Sequence, residues 1–346
     1  MKKKLFFFTL LLTLSIMMTF LTSCINPNTG SLVGMSSSSS SSSSTPPAPS
    51  ITTATFNNIS SPGPGAINSS GDIWFANFKN NTVTELNPSG SVIGTFNVGP
   101  SPEGIAIDAS GNVWVTDNGY NTVTELNSTG SQLIGTFPVG PSPEGIAIDA
   151  SGNVWVANNG TNNVTELNSK GTLIGTFTVG NNPEGIAIDA SGNVWVTNNG
   201  SNTVTELNST GSLIGTFTVG NNPAGDAVSD TGDIFVAVQS NNSIVELNST
   251  GSIVNTFPTG QSGTRSVSID AAGNLWVANF NSSNIIELSP TGSILNTFTV
   301  GNGPEGVSID ASGNLWVANF NSSSVTKISG AAKGPQFFPY SGPQFP

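Results

Sequence analysis

Residues 143–180 read PEGIAIDASGNVWVANNGTNNVTELNSKGTLIGTFTVG, and this stretch decides the fold because the chain repeats it. Trp74, Trp114, Trp155, Trp195, Trp276 and Trp316 mark successive copies at intervals of 40 or 41 residues. The single gap is filled by Phe235, where DIFVA stands for NVWVA. Seven copies therefore cover nearly everything after residue 50, and such a period fixes an architecture before any single residue is interpreted. Within each copy lie four short runs, here GIAID, NVWVAN, NVTELN and LIGTFTV, separated by Gly, Asn, Ser and Pro. They are β-branched or aromatic and alternate with period two, the pattern of antiparallel hairpins. Four strands in about 40 residues predict a blade of a β-propeller rather than a coil of a parallel solenoid, whose units are usually shorter. The fold class expected is all-β, a seven-bladed propeller of four-stranded antiparallel blades.

The two ends of the repeat region complement one another. The last copy stops at Ser329 without a fourth run, while Thr53-Ala54-Thr55-Phe56 stands before the first copy as a fourth run without a blade. Pairing the two closes the ring and removes two open sheet edges.

Outside the repeats the composition changes. Met1-Lys2-Lys3-Lys4 and the apolar run Leu5–Leu21 form an expected secretory leader over residues 1–23. The apolar run alone would equally suit a membrane anchor. Leu21-Thr22-Ser23-Cys24 resembles the bacterial lipobox, so Cys24, the one cysteine of the chain, is the expected lipidation site. A single cysteine also precludes an intrachain disulfide. Ile25 rather than Asp follows, which by the sorting rule of such lipoproteins implies the outer membrane where one exists. Residues 24–50, with the serine run 36–44 and Thr-Pro-Pro-Ala-Pro, are an expected tether. The propeller is then assigned to 51–329 and a Gly/Pro-rich tail to 330–346. The expected location is the bacterial cell envelope, with the propeller outside the cytoplasm.

The chain holds 20 acidic and 8 basic residues and no histidine. After Cys24 only Lys79, Lys170, Arg265, Lys327 and Lys333 remain basic, so the net formal charge there is 5 − 20 = −15. This balance excludes nucleic acid and anionic headgroups as partners, since both require phosphate neutralisation. A monomer held to a membrane by lipid, with an unknown protein or glycan partner, is the expected state.

Most repeated positions have structural roles. The tryptophans should pack between blades. Asp108-Ala-Ser-Gly111-Asn112 and its copies read as turns with a capping Asp and a Gly at positive φ, too poor in carboxylates for a calcium loop. Glu85, Glu125, Glu166, Glu206, Glu246 and Glu287, replaced by Lys327 in the last blade, read as partly solvated strand charges.

The elements Pro-Glu-Gly-Ile-Ala-Ile-Asp (183–189) and Trp-Val-Thr-Asn-Asn-Gly-Ser-Asn-Thr-Val (195–204) resemble YVTN-type and NHL-type propeller repeats, and Gly-Asn-Val-Trp-Val is similar to the streptogramin (virginiamycin B) lyase family. The resemblance spans roughly residues 51–329 and implies a seven-bladed propeller. It also implies, for the lyases, a catalytic histidine with a metal. No residue here can inherit the histidine's role. Lactonase-type propellers hold a divalent metal on oxygen ligands, which leaves Ca²⁺ or Mg²⁺ chemically possible. Fold alone does not decide function.

In a propeller the Pro-Glu-Gly link opens on the mouth of the axial channel. Glu103, Glu144, Glu184 and Glu305 are therefore candidate channel-mouth ligands, with Gly63, Ala224 and Arg265 in the other blades. Blade five further replaces the first inner-strand Ile by Asp226, which either joins this site or forms a structural ion pair with Arg265. Phe78, Phe280 and Phe320 occupy one loop position in blades one, six and seven, where Asn118, Asn159 and Asn199 stand elsewhere; together they would make an aromatic arc for a protein or glycan partner. Three readings follow: a binding or interaction scaffold, a metal-dependent hydrolase or lactonase, and a structural or adhesive surface protein. The absent histidine and the lack of a distinctive catalytic residue favour the first.

Overall fold

The structure is a computed structural model that describes residues 51–57 and 59–334. Cys24, the leader, the tether and the tail beyond 334 lie outside the described residues. Among those described there are 28 strands and no helix, arranged as seven four-stranded antiparallel sheets. Six blades are consecutive in sequence; the third, for example, is built from Pro143–Ile148, Val154–Asn158, Asn163–Leu167 and Leu173–Thr178. The seventh takes Pro304–Ile309, Leu315–Asn319 and Ser324–Ser329 and receives Thr52–Phe56 as its fourth strand. That strand runs antiparallel to Ser324–Ser329, with Phe56 opposite Val325 and Thr52 opposite Ser329. The first strands of blades one and seven also meet, so the ring is continuous.

Seven hydrophobic clusters lie between the seven pairs of neighbouring blades. In one of them Ala147, Trp155 and Val164 of blade three pack on Ile186, Val194, Val196 and Leu207 of blade four. Each tryptophan is fully buried there, and Trp155 stacks on Phe177 of its own fourth strand with ring centroids 5.6 Å apart. Trp316 repeats this against Phe56, so the added strand completes the seventh core as well as the seventh sheet. The turn aspartates explain why the indoles tolerate burial. Asp149 Oδ1 accepts the backbone N–H groups of Ser151 and Asn153, and Oδ2 accepts the Trp155 indole N–H at 3.2 Å. Gly152 takes φ 83°, the left-handed value that the turn needs. Where blade five replaces this Asp by Ser229, its partner is Phe235, which has no N–H to satisfy. Blade one keeps the tryptophan but carries Asn68, and the Trp74 indole nitrogen is left without an acceptor.

Of the third-strand glutamates only Glu246 is partly solvated as expected. Glu85, Glu125, Glu166, Glu206 and Glu287 are buried, not partly solvated, because each sits beside its tryptophan on the sheet face covered by the adjoining blade. Burial first, and then the charge of the neighbouring turn Asp, pushes Glu85, Glu125, Glu166 and Glu206 up to about 7.

Candidate functional site

The Pro-Glu-Gly link reaches the axis through a β-bulge. In blade three Pro143 pairs with Asn158 and Ile146 with Val156, so Glu144 and Gly145 together face one residue of the next strand. In blades six and seven the register skips one position, and the extra residues are Arg265 and Glu305 themselves. A bulge frees its residue from the pleat and re-aims its side chain, here toward the axis. The glycine that follows is demanded by convergence: a Cβ on Gly145 would overlap the carbonyl oxygen of Glu184 on the next blade. Thr116 ties this tier together, donating its hydroxyl to Glu144 O at 2.8 Å, and Thr197 donates likewise to Ala224 O.

The result is a cavity of about 110 Å³ at the axial mouth, to which Gly63, Glu103, Glu144, Glu184, Ala224, Arg265 and Glu305 contribute one residue per blade. Arg265 organises it. Its Nη2 donates to Glu305 Oε1 at 3.0 Å, and its Nη1 lies 3.8 Å from Glu184 Oε1, two blades away. Asn118 donates to Glu103 at 3.4 Å and Asn199 to Glu184 at 3.3 Å. Neither amide's role was legible from the repeat, although both stand at the loop position that carries phenylalanine elsewhere. Glu144 shows no side-chain hydrogen bond. Burial, then the charges of Glu184 and Glu103, pushes Glu144 up to about 9; burial and Glu305 push Glu103 up to about 7. Glu184 and Glu305 are raised by burial and held down in part by Arg265. Burial opposes the Arg265 charge, but Glu184, Glu305 and Glu144 outweigh it and hold the guanidinium above its ordinary value. The mouth thus combines an ion-paired triad with two carboxyls, Glu144 and Glu103, whose proton affinity burial and neighbouring carboxyls raise.

Asp226 does not belong to this ring. It is fully buried, does not line the cavity, and is not paired with Arg265. Its carboxyl lies against Gly185 of blade four. Neither carboxyl oxygen has a hydrogen-bond partner outside its own residue, and burial holds the group well above the usual carboxylate range.

The aromatic arc is reduced to a pair. Phe78 and Phe320 line the cavity, are half-buried, and touch across the closed ring with centroids 5.7 Å apart. Lys79 Nζ stands 5.9 Å over the Phe320 ring. Phe280 is half-buried but lines no part of the cavity. The residues do not fit a metal centre: no group of three or more Asp, Glu, Cys or His converges among the described residues, and a guanidinium stands between Glu184 and Glu305.

The sequence pattern of the virginiamycin B lyase family matches residues 52–220, the closing strand and the first four blades. The chain is similar to that family. Among solved structures, a streptogramin B lyase superposes with a TM-score of 0.74 at 20% identity, over 81% of this chain and 97% of its own. A catalytically inactive histidine-to-alanine variant of the Staphylococcus aureus virginiamycin B lyase with quinupristin superposes at 0.72 and 18% identity, over 81% of this chain and 99% of its own. Hydrazine synthase of Kuenenia stuttgartiensis does so at 0.72 and 16% identity, over 80% and 97%. At these identities the likeness is one of fold. No curated protein matches the sequence.

Proposed function

We propose that this chain is a binding protein of the cell envelope, held by a lipidated Cys24, which receives the polar end of a glycan in the axial mouth without transforming it. The observation that carries the reading is the junction of the Arg265–Glu184–Glu305 triad and the uncommitted Glu144 with the Phe78–Phe320 pair in one cavity. Carboxyls, a guanidinium and amides satisfy hydroxyl groups, while an aromatic wall covers the apolar face of a sugar ring. A cavity of about 110 Å³ is well below the roughly 300 Å³ of ordinary ligand pockets, so it takes a terminal unit of a larger partner. Lyase chemistry is disfavoured. Replacing a histidine inactivates the staphylococcal enzyme, and this chain has no histidine at any position.

Calorimetric titration with neutral monosaccharides and their 2-amino counterparts tests the reading. Saturable heat that disappears in a Phe78→Ser, Phe320→Ser variant with an unchanged melting temperature is the expected result. Absence of heat for every sugar would remove the glycan. Envelope anchoring is checked separately: Cys24→Ala should release the chain from the membrane fraction.

A further inference from the structure

Outside the axial mouth, the chain's exposed apolar surface is concentrated in one repeated device. Twelve of the fourteen large hydrophobic residues exposed among those described form six adjacent pairs, one on each fourth strand of blades one to six. They are Val92/Ile93, Leu133/Ile134, Leu173/Ile174, Leu213/Ile214, Ile253/Val254 and Ile294/Leu295, each side chain 46–63% exposed. Scattered exposed aliphatics need no explanation, but an array with the period of the fold does. In every pair the second residue is a bulge. Glu166 pairs with Gly175 and Leu167 with Leu173, so Ile174 has no partner across the ladder, and Ile93, Ile134, Ile214, Val254 and Leu295 stand likewise. The bulge interrupts the open strand edge and discourages backbone pairing there, while presenting two aliphatic side chains together.

Blade seven lacks the pair and the bulge together. Its fourth strand pairs Ala54 with Lys327 and Thr53 with Ile328 without a skip, leaving Thr53 where the other blades carry apolar residues. This is also the edge at which the 50 preceding residues enter the propeller. The apolar pairs are thus present on the six fourth strands that belong to the repeats and missing from the one that the chain supplies ahead of them. No fourth strand of blades one to six contains a charged residue, although the whole chain has a net charge of −12. Two copies that met through their acidic surfaces would repel; the uncharged perimeter lets them meet without that cost.

From these features we infer that the perimeter is a self-association surface, on which the aliphatic pair of one copy docks on the same pair of a second copy. Such a contact is isologous and needs no complementary partner, since like patches bury one another. One pair presents roughly 200 Å², far less than the about 800 Å² per partner that a stable complex buries. A single contact is therefore transient. Six equivalent patches around the disc make the assembly multivalent, so it extends laterally and strengthens with local density, as on a membrane. A flat bilayer cannot engage six pairs that face outward around a circle. A further disc can. The expected monomer is, in this proposal, the unit that clusters.

Cysteine cross-linking of the full chain in a Cys24→Ser background tests this. Ile174→Cys is compared with Thr53→Cys, on the edge without the pair, by the yield of disulfide-linked dimer under mild oxidation. The expected result is at least a fivefold greater yield for Ile174→Cys. A second variant, Leu133→Glu, Ile134→Glu, Leu213→Glu, Ile214→Glu, should lower the light-scattering mass of the concentrated chain with no change in its circular dichroism. Equal dimer yields at the two positions would overturn the inference. So would a single-chain mass for the unmodified protein at every concentration. Co-sedimentation with phosphatidylcholine vesicles that the Glu variant abolishes, with equal cross-linking, would assign the perimeter to lipid instead and equally overturn it.

Discussion

Arg265 and Glu305, on adjacent blades, meet at 3.0 Å at the axial mouth, and the same guanidinium lies 3.8 Å from Glu184 on the far side. One cation thus offsets several carboxyls that face a single opening. Breaking a buried pair by deleting one partner costs more than the pair contributes, because the other charge is left uncompensated. Arg265→Ala should destabilise the propeller by about 3 kcal/mol at pH 8. The loss should shrink at pH 5, where the carboxyls take up protons. Chemical denaturation at both pH values measures it, and an equal loss at each would show that Arg265 acts through packing alone.

The pH dependence of the whole fold follows from the same physics. Asp117 is pushed up to about 6, Glu103 and the third-strand Glu85, Glu125, Glu166 and Glu206 to about 7, and Glu144 to about 9, in every case chiefly by burial. Acids whose folded values are raised bind protons in the folded chain that the unfolded chain has already released. Their stabilising contribution is therefore full below the ordinary carboxylate range and is lost as pH rises through the folded values. The melting temperature should be highest at about pH 4 and fall progressively toward about pH 9. A calorimetric series across that range checks the sign; a maximum at pH 8 would contradict the burial of these groups.

Asp226 is a fully buried acid whose side chain has no partner outside its own residue, at the position where five other blades carry Ile105, Ile146, Ile186, Val267 and Val307. A buried polar group without a hydrogen bond costs about 1–3 kcal/mol. Asp226→Val should stabilise the fold by about 2 kcal/mol and flatten the alkaline part of the stability profile. Denaturant midpoints of the two proteins compare directly. If Asp226→Val proves destabilising, the carboxyl has a partner that the fold conceals.

The sequence carried the architecture because the propeller is a repetition: Trp155 and its equivalents announce the blades, and Thr53–Phe56 has the form of the strand missing after Ser329. It carried the ring of Glu103, Glu144, Glu184, Arg265 and Glu305 for the same reason, since the bulged link sends every blade's residue to one axis. What it could not carry was direction within a strand. Asp226 and Glu144 are two residues apart in the repeat, yet the bulge turns one toward the axis and leaves the other between blades. Pairings across the ring were equally hidden, because Arg265 reaches Glu184 over a distance of two blades that no local pattern encodes. The doublet of aliphatic residues in each fourth strand was visible throughout, but period-two alternation assigns one of the two to the interior. Only the skipped register puts both outside.

The turn of blade one offers the most local test. In five blades the indole N–H donates to a turn aspartate, as Trp114 does to Asp108 at 3.2 Å and Trp316 to Asp310 at 3.0 Å. Blade one carries Asn68 instead. Its Oδ1 accepts the backbone N–H groups of Ser70 and Asp72, its amide nitrogen donates to Asp72, and the buried Trp74 indole finds no acceptor. Asn68→Asp would keep the two backbone bonds and put an ionised oxygen where the amide nitrogen now lies. Hydrogen bonds to charged acceptors contribute about 1.5–3 kcal/mol, but Asp72 and Glu85 stand nearby and like charge offsets part of that gain. The net expectation is a stabilisation of about 1 kcal/mol. It should be accompanied by slower hydrogen exchange at the Trp74 indole, read by NMR. An unchanged exchange rate would mean that the N–H already has a partner, and the comparison between blades would fail at that position.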